Sequence, residues 1–147
     1  MTTMTATVVV CPSCSRKNRV PAAAPGLPRC AHCHNPLPWV ADATDDTFAE
    51  VAEAPTIPVI VDLWAPWCEP CRMVSPALES LAREYAGRIK LVKVNVDLSP
   101  ELSRRFRVQG IPALLVLDGG RVVAEQVGAA PERALRAWLD QALAALA

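Results

Sequence analysis

Trp64-Ala65-Pro66-Trp67-Cys68-Glu69-Pro70-Cys71-Arg72 places two cysteines two residues apart, behind an apolar run and ahead of a helical pattern. The run before it, Val59-Ile60-Val61 and then Leu63-Trp64, suits a strand covered on both faces. Asp62 interrupts that run, and a carboxylate buried there is costly without a partner and is held with a raised pKa. After the pair, Val74, Ala77 or Leu78, Leu81 and Tyr85 recur at helical spacing until Gly87. Pro76 falls inside this helix, removes one backbone hydrogen bond and predicts a kink. Cys68 therefore sits where a strand ends and a helix begins. Free backbone N–H groups and the helix dipole stabilise a thiolate at such a place and lower its pKa.

The chain downstream supplies more of the same sheet. Ile89 to Val96 reads as a second buried strand interrupted by Lys93, and Asp97 to Pro100 leads into a short helix carrying Leu102 and Phe106. Gly110-Ile111-Pro112 precedes a strand from Ala113 to Leu117, the turn Asp118-Gly119-Gly120, and a strand from Val122 to Val127, which together predict a hairpin. From Pro131 to Leu146 a last helix carries Leu135, Trp138, Leu139, Ala142 and Leu146 on one stripe. Upstream, Trp39-Val40-Ala41 reads as a short strand, and Thr44 as the N-cap of a helix that bears Thr47, Phe48, Val51 and Ala52 and stops before Pro55. Strands alternating with helices and closed by a hairpin indicate an α/β fold with a mixed sheet.

Six cysteines among 147 residues fall as three CxxC pairs. Cys11-Pro-Ser-Cys14 and Cys30-Ala-His-Cys33 have the spacing of a closed tetrahedral metal site, in which two tight knuckles present four thiolates to one zinc ion. His32 and His34 lie inside and beside the second knuckle and are the alternative ligands, although four cysteines are the expected set. Residues 1–38 contain few large apolar side chains, so zinc would supply folding energy that burial cannot. These residues form the first expected domain, a four-cysteine, zinc-ribbon-like module closed by Pro36 and Pro38, and residues 39–147 form the second.

Net charge is zero, which gives no general electrostatic reason to bind nucleic acid or anionic membranes. Its distribution is uneven: the first module carries Arg16, Lys17, Arg19 and Arg29 with no acid, while the remainder is acidic. The apolar run Val8-Val9-Val10 is too short for a membrane span or a signal peptide, so a cytoplasmic location is expected. In a reducing compartment, paired cysteines serve as metal ligands or redox catalysts rather than structural disulfides.

Asp62, the Trp64 to Arg72 segment, Asp97, Gly110-Ile111-Pro112, the Gly119-Gly120 turn and Val127-Gly128 together resemble the thioredoxin family over residues 39–147. With the four-cysteine module in front, the chain is similar to the zinc-carrying thioredoxin 2 branch of that family. The resemblance implies a central five-stranded mixed sheet flanked by four helices and a cis peptide before Pro112. It also implies protein disulfide reduction by a monomer, supported by an NADPH-dependent thioredoxin reductase, with zinc as the only cofactor and disulfide-bearing proteins as partners.

On this reading Cys68 attacks a substrate disulfide, and Cys71, one turn further in, resolves the mixed disulfide. Asp62 is placed to take the Cys71 proton, and the resemblance brings Lys93 close to Asp62, either to assist it or to pair with it as a structural acid. Trp67, Glu69, Pro70, Ile111, Pro112 and Gly128 form the expected rim for an extended substrate. Glu69 stands where the family most often has glycine; its charge disfavours the Cys68 thiolate and makes the couple more reducing. Two other readings remain open. One is a disulfide isomerase or oxidase, and the other is a redox-regulated chaperone or sensor in which the first module releases zinc.

Overall fold

The computed structural model describes residues 6–146. Residues 1–5 and 147, at the outer ends of the two domain ranges drawn from sequence, lie outside the described residues. A small antiparallel pair, β1 (Thr7–Val10) and β2 (Lys17–Val20), opens the chain. The main sheet contains β3 (Val40–Ala43), β4 (Val59–Trp64), β5 (Lys90–Asn95), β6 (Ala113–Asp118) and β7 (Arg121–Val127) in the order β3-β5-β4-β6-β7. β5 runs parallel to both β3 and β4, whereas β6 is antiparallel to β4 and β7, so the sheet is mixed. Gly119 and Gly120 both have positive φ, 58° and 83°, the conformation that a two-residue hairpin turn requires and that glycine adopts without strain.

Four helical segments cover this sheet: a π-type turn at Ala49–Glu53, α1 (Glu69–Glu84), α2 (Pro100–Arg105) and α3 (Glu132–Ala144). Strand side chains alternate between faces. Val59, Val61 and Leu63 of β4 therefore join Phe48, Val51 and Leu102 in one core, while Ile60 joins Val74, Leu78 and Leu81 of α1 and Leu135 and Leu139 of α3 in the other. Two consequences position the site. Asp62 has the parity of Ile60 and so faces α1, and β4 delivers the chain directly to the N-terminus of that helix. α1 continues through Pro76 without interruption from Glu69 to Glu84.

The segment leading into the Ala49–Glu53 turn starts at Thr44. The carbonyl of Thr44 accepts the Thr47 and Phe48 amides, while the Thr44 amide itself donates to Thr47 Oγ1 at 3.0 Å. Thr44 thus holds the N-cap position through its backbone, and the Thr47 hydroxyl, three residues on, returns to its amide as half of a capping box.

In the first module Cys11, Val20, Cys30 and Leu37 form a small core that closes on Trp39 and packs against Ile57. Its loop is also tied to the main sheet. Ala22 belongs to the core under β4 and β5, and the Trp39 indole donates to the Pro21 carbonyl at 2.9 Å.

Candidate active site and metal centre

Cys68 is the N-cap of α1, with extended backbone (φ −88°, ψ 109°), and its sulfur accepts the Cys71 amide at 3.2 Å. This is the orphan donor of a first helical turn used to hold a sulfur. Pro70 follows within the first turn, where a missing N–H costs nothing. Cys68 and Cys71 are joined as a disulfide, 4% and 2% exposed. The Ile111 carbonyl lies 3.8 Å from Cys68 Sγ, just before the cis Ile111–Pro112 bond, and the Pro112 carbonyl accepts the Gly128 amide at 2.8 Å.

An open groove of about 480 Å³ runs past the disulfide, lined by Trp67, Cys68, Glu69, Pro70, Val96, Val108, Gln109, Gly110 and Ile111. Trp67 is 68% exposed, and its indole N–H donates to the Asp97 carboxylate at 3.1 Å. The ring is thus oriented by an acid while its face stays open to solvent. Of the expected rim, Trp67, Glu69, Pro70 and Ile111 line the groove, whereas Pro112 is buried and Gly128 stands behind it through their shared hydrogen bond. Val96, Val108 and Gln109 line the groove as well and were not among the residues singled out from sequence. Their signal is weak, since an apolar residue at a strand end or loop reads equally well as core.

Behind Cys71 lies a second, smaller cavity of about 80 Å³, lined by Asp62, Trp64, Cys71, Arg72, Ser75 and Lys93. That volume is enough for more than one water. Asp62 is 1% exposed, and among the described residues neither carboxylate oxygen has a hydrogen-bond partner. Burial pushes its pKa up to about 6, against the opposing pull of Lys93 and with a further push from Glu79. Lys93 is in register with Asp62 across β4 and β5, but does not pair with it. Its ammonium donates to Ser75 Oγ at 2.7 Å and lies 3.6 Å from Glu79. A direct Asp62–Lys93 ion pair, one of the two sequence expectations, is therefore absent among the described contacts. Ser75 and Glu79 were not anticipated, although they follow Cys71 at intervals of four and so share its helical face.

The first two CxxC pairs converge. All four sulfurs of Cys11, Cys14, Cys30 and Cys33 lie within 4.8 Å of one another, with Cys11–Cys33 at 3.6 Å and Cys14–Cys30 at 3.5 Å. Sulfurs at about 2.3 Å from a tetrahedral zinc ion are separated by about 3.8 Å, so the donor set fits zinc. His32 and His34 do not belong to this group. The two knuckles are built alike. The amide of Cys11 donates to the Arg16 carbonyl and that of Ser15 to the Cys11 carbonyl, while Cys30 pairs with Asn35 and His34 with Cys30 in the same way. Ser15 and His34 correspondingly both have positive φ, 66° and 65°.

Donors surround the second knuckle. The Cys33 amide and burial act in opposite directions on Cys30, and with the His32 amide and the Asn18 side chain the balance holds its thiol down to about 5. Amides and side-chain N–H groups around the sulfurs are the outer contacts that stabilise ligating thiolates.

A thioredoxin family model matches residues 39–141 of the chain. Thioredoxin C-2 of Corynebacterium nephridii is 48% identical over 103 residues, covering 69% of this chain and 94% of that protein. Thioredoxin 1 of a Nostoc strain is 43% identical over 103 residues, 70% of this chain and 96% of the relative. A thioredoxin from Haemophilus influenzae is 45% identical over 97 residues, 66% and 91% of the two chains. The matched family segment begins at Trp39, after the four clustered cysteines.

Proposed function

Because this chain belongs to the thioredoxin family and is a thiol-disulfide oxidoreductase, we propose that it is a general protein disulfide reductase in which a zinc-bound module supports the catalytic domain. The observation that carries this reading is the Cys68–Cys71 disulfide, set at a strand-to-helix junction between an open apolar groove and a buried carboxyl.

In the reduced enzyme Cys68 is the nucleophile. Its thiolate attacks one sulfur of a substrate disulfide, forms a mixed disulfide and releases the other substrate sulfur as a thiolate. Asp62, directly or through water in the cavity behind Cys71, accepts the Cys71 proton. The Cys71 thiolate then attacks Cys68 Sγ and expels the second substrate thiolate, so that two electrons pass to the substrate and the Cys68–Cys71 disulfide remains. Lys93 stabilises the charge that develops on Asp62 and Cys71. The groove formed by Trp67, Glu69, Pro70 and Ile111, with Pro112 and Gly128 supporting its far wall, holds the extended segment around the substrate disulfide. An NADPH-dependent thioredoxin reductase returns Cys68 and Cys71 to thiols. This chemistry belongs to a reducing compartment, and the cytoplasm is the proposed location. No helix among the described residues is long and apolar enough to cross a membrane.

Cys11, Cys14, Cys30 and Cys33 would hold one structural zinc ion in residues 1–38, with residues 39–147 as the catalytic domain. A closed four-thiolate site contributes folding energy and leaves no position for substrate. Reduction of insulin disulfides by the wild type, Cys68→Ser and the Cys11→Ser/Cys14→Ser double variant tests the assignment. Activity lost in Cys68→Ser and kept in the double variant is expected. Activity that survives Cys68→Ser would sink it.

A further inference from the structure

Cys71 and Ser75, four residues apart on α1, line the cavity behind the disulfide, and Glu79 continues the same helical face one turn beyond it. Lys93 reaches that face from β5 and is engaged by it: Nζ lies 2.7 Å from Ser75 Oγ and 3.6 Å from Glu79 Oε1. Asp62 on β4 is the cross-strand neighbour of Lys93, yet both of its oxygens are buried and without a hydrogen-bond partner among the described residues. A buried carboxylate beside an ammonium gains most by closing on it. Here the ammonium is drawn to the helix instead.

Resting on the reductase reading, we propose that Ser75 and Glu79 are positioning residues that hold the Lys93 ammonium on the α1 side of the cavity and thereby leave the Asp62 carboxylate free to accept the Cys71 proton. A carboxylate locked in an ion pair is a weaker base, because the pair stabilises its charged form. Glu79 acts in two ways of the same sign: it anchors the cation and its own charge opposes ionisation of Asp62. Among the described residues no other charged side chain near the cavity does this: Asp42 flanks Lys93 on β3 but is exposed and does not line the cavity. The Arg72 guanidinium is committed to the Pro66 carbonyl at 2.6 Å, and β6 offers only Leu114 opposite Asp62. Arg83 lies a turn beyond Glu79, outside the cavity.

The test follows Asp62 by carbon-detected NMR of its carboxyl in the oxidised full-length protein, in which neither active-site cysteine titrates. Loss of one partly screened charge beside a buried acid moves its titration by about half a unit. Glu79→Gln should therefore lower the Asp62 midpoint by about that much, Ser75→Ala should lower it in the same direction by releasing the Lys93 ammonium, and Lys93→Met should raise it. In a Lys93→Met background the Glu79→Gln shift should shrink, because only the direct effect of the Glu79 charge is left. The acid limb of the kcat/KM profile for insulin should move with the midpoint. A midpoint unmoved by either α1 variant removes that residue from the role, and a Glu79→Gln shift undiminished without Lys93 overturns the mechanism. Failure of the reductase reading would be read separately, as absent insulin reduction in the wild type with the titrations intact.

Discussion

Lys90 Nζ lies 3.8 Å from the centre of the Trp39 ring, in a place where the lysine is 0% exposed. Its ammonium donates to the Ala22 carbonyl at 2.5 Å and the Val51 carbonyl at 2.7 Å, so one buried cation joins the loop of the first module, the Ala49–Glu53 turn and β5. A charge held in this way is stabilised by carbonyl dipoles and a ring face rather than by an anion.

Lys90→Met keeps the length of the side chain but orphans two buried carbonyls. At about 1 kcal/mol or more for each, the expected loss at pH 7 is about 1–3 kcal/mol, read as a lower urea midpoint. The pH dependence has a fixed sign. Burial lowers the Lys90 pKa from 10.5 to about 8, so between these values the unfolded chain binds more protons than the folded one. Stability contributed by this residue is constant below about pH 8 and rises from there towards 10.5. The difference between wild type and Lys90→Met should grow across that window; a difference that stays flat would refute the assignment.

Asp62 works in the opposite pH range. Its pKa is raised from 3.8 to about 6, so the folded state carries a cost that is fully present above pH 6 and relieved as pH falls towards 3.8. Two units correspond to about 3 kcal/mol. Asp62→Asn should therefore unfold at higher urea than wild type at pH 7, lose most of that advantage by pH 4, and reduce insulin more slowly. A variant less stable than wild type at pH 7 would mean that Asp62 has a stabilising partner after all.

Much of this arrangement was legible in the residues because it follows from periods. The continuous apolar run around Asp62 and the 3.6-residue repeat after Cys68 mark a buried strand leading into a helix, and the Gly119-Gly120 pair marks the hairpin. What escaped were contacts set by tertiary packing. Lys90 adjoins the apolar run of β5 and reads as a surface charge at a strand end, because its partners are carbonyls from loops far away in sequence. Lys93 could be placed beside Asp62 by register, but not its turn towards Ser75 and Glu79, which depends on how α1 lies across the sheet. The start at Thr44 could be read from composition, but not that the Thr47 hydroxyl would accept its amide there.

Glu69 is exposed at the mouth of the groove, in the first turn of α1. Its carboxylate repels the anion formed on Cys68 when the disulfide opens, but solvent screens most of the effect. Glu69→Gly should speed iodoacetamide labelling of Cys68 at pH 6–7 by no more than about threefold and make the couple slightly less reducing, by about 10 mV. The gain should fade in 1 M salt. Equal labelling rates at low salt would leave Glu69 with only its favourable position at a helix N-terminus.

Metal removal distinguishes an independent module from a coupled one. The first module contributes four buried residues to its small core, Cys11, Val20, Cys30 and Leu37, too few to offset the entropy of ordering its loops, so zinc should decide whether it folds. Elemental analysis should find about one zinc per chain, and Cys11→Ser should lower it sharply while insulin reduction stays within about twofold of wild type. The catalytic domain should still feel the loss. Unravelling the loop takes the Ala22 carbonyl from Lys90 and the Pro21 carbonyl from the Trp39 indole, leaving both buried donors short of a partner. At about 4–8 °C per kcal/mol for a domain of this size, chelation should lower the main unfolding transition by several degrees. In Lys90→Met, which has already lost the ammonium contact, the same treatment should lower it by less. An unchanged main transition after complete zinc removal would show that the clamp joins the two parts without stabilising either.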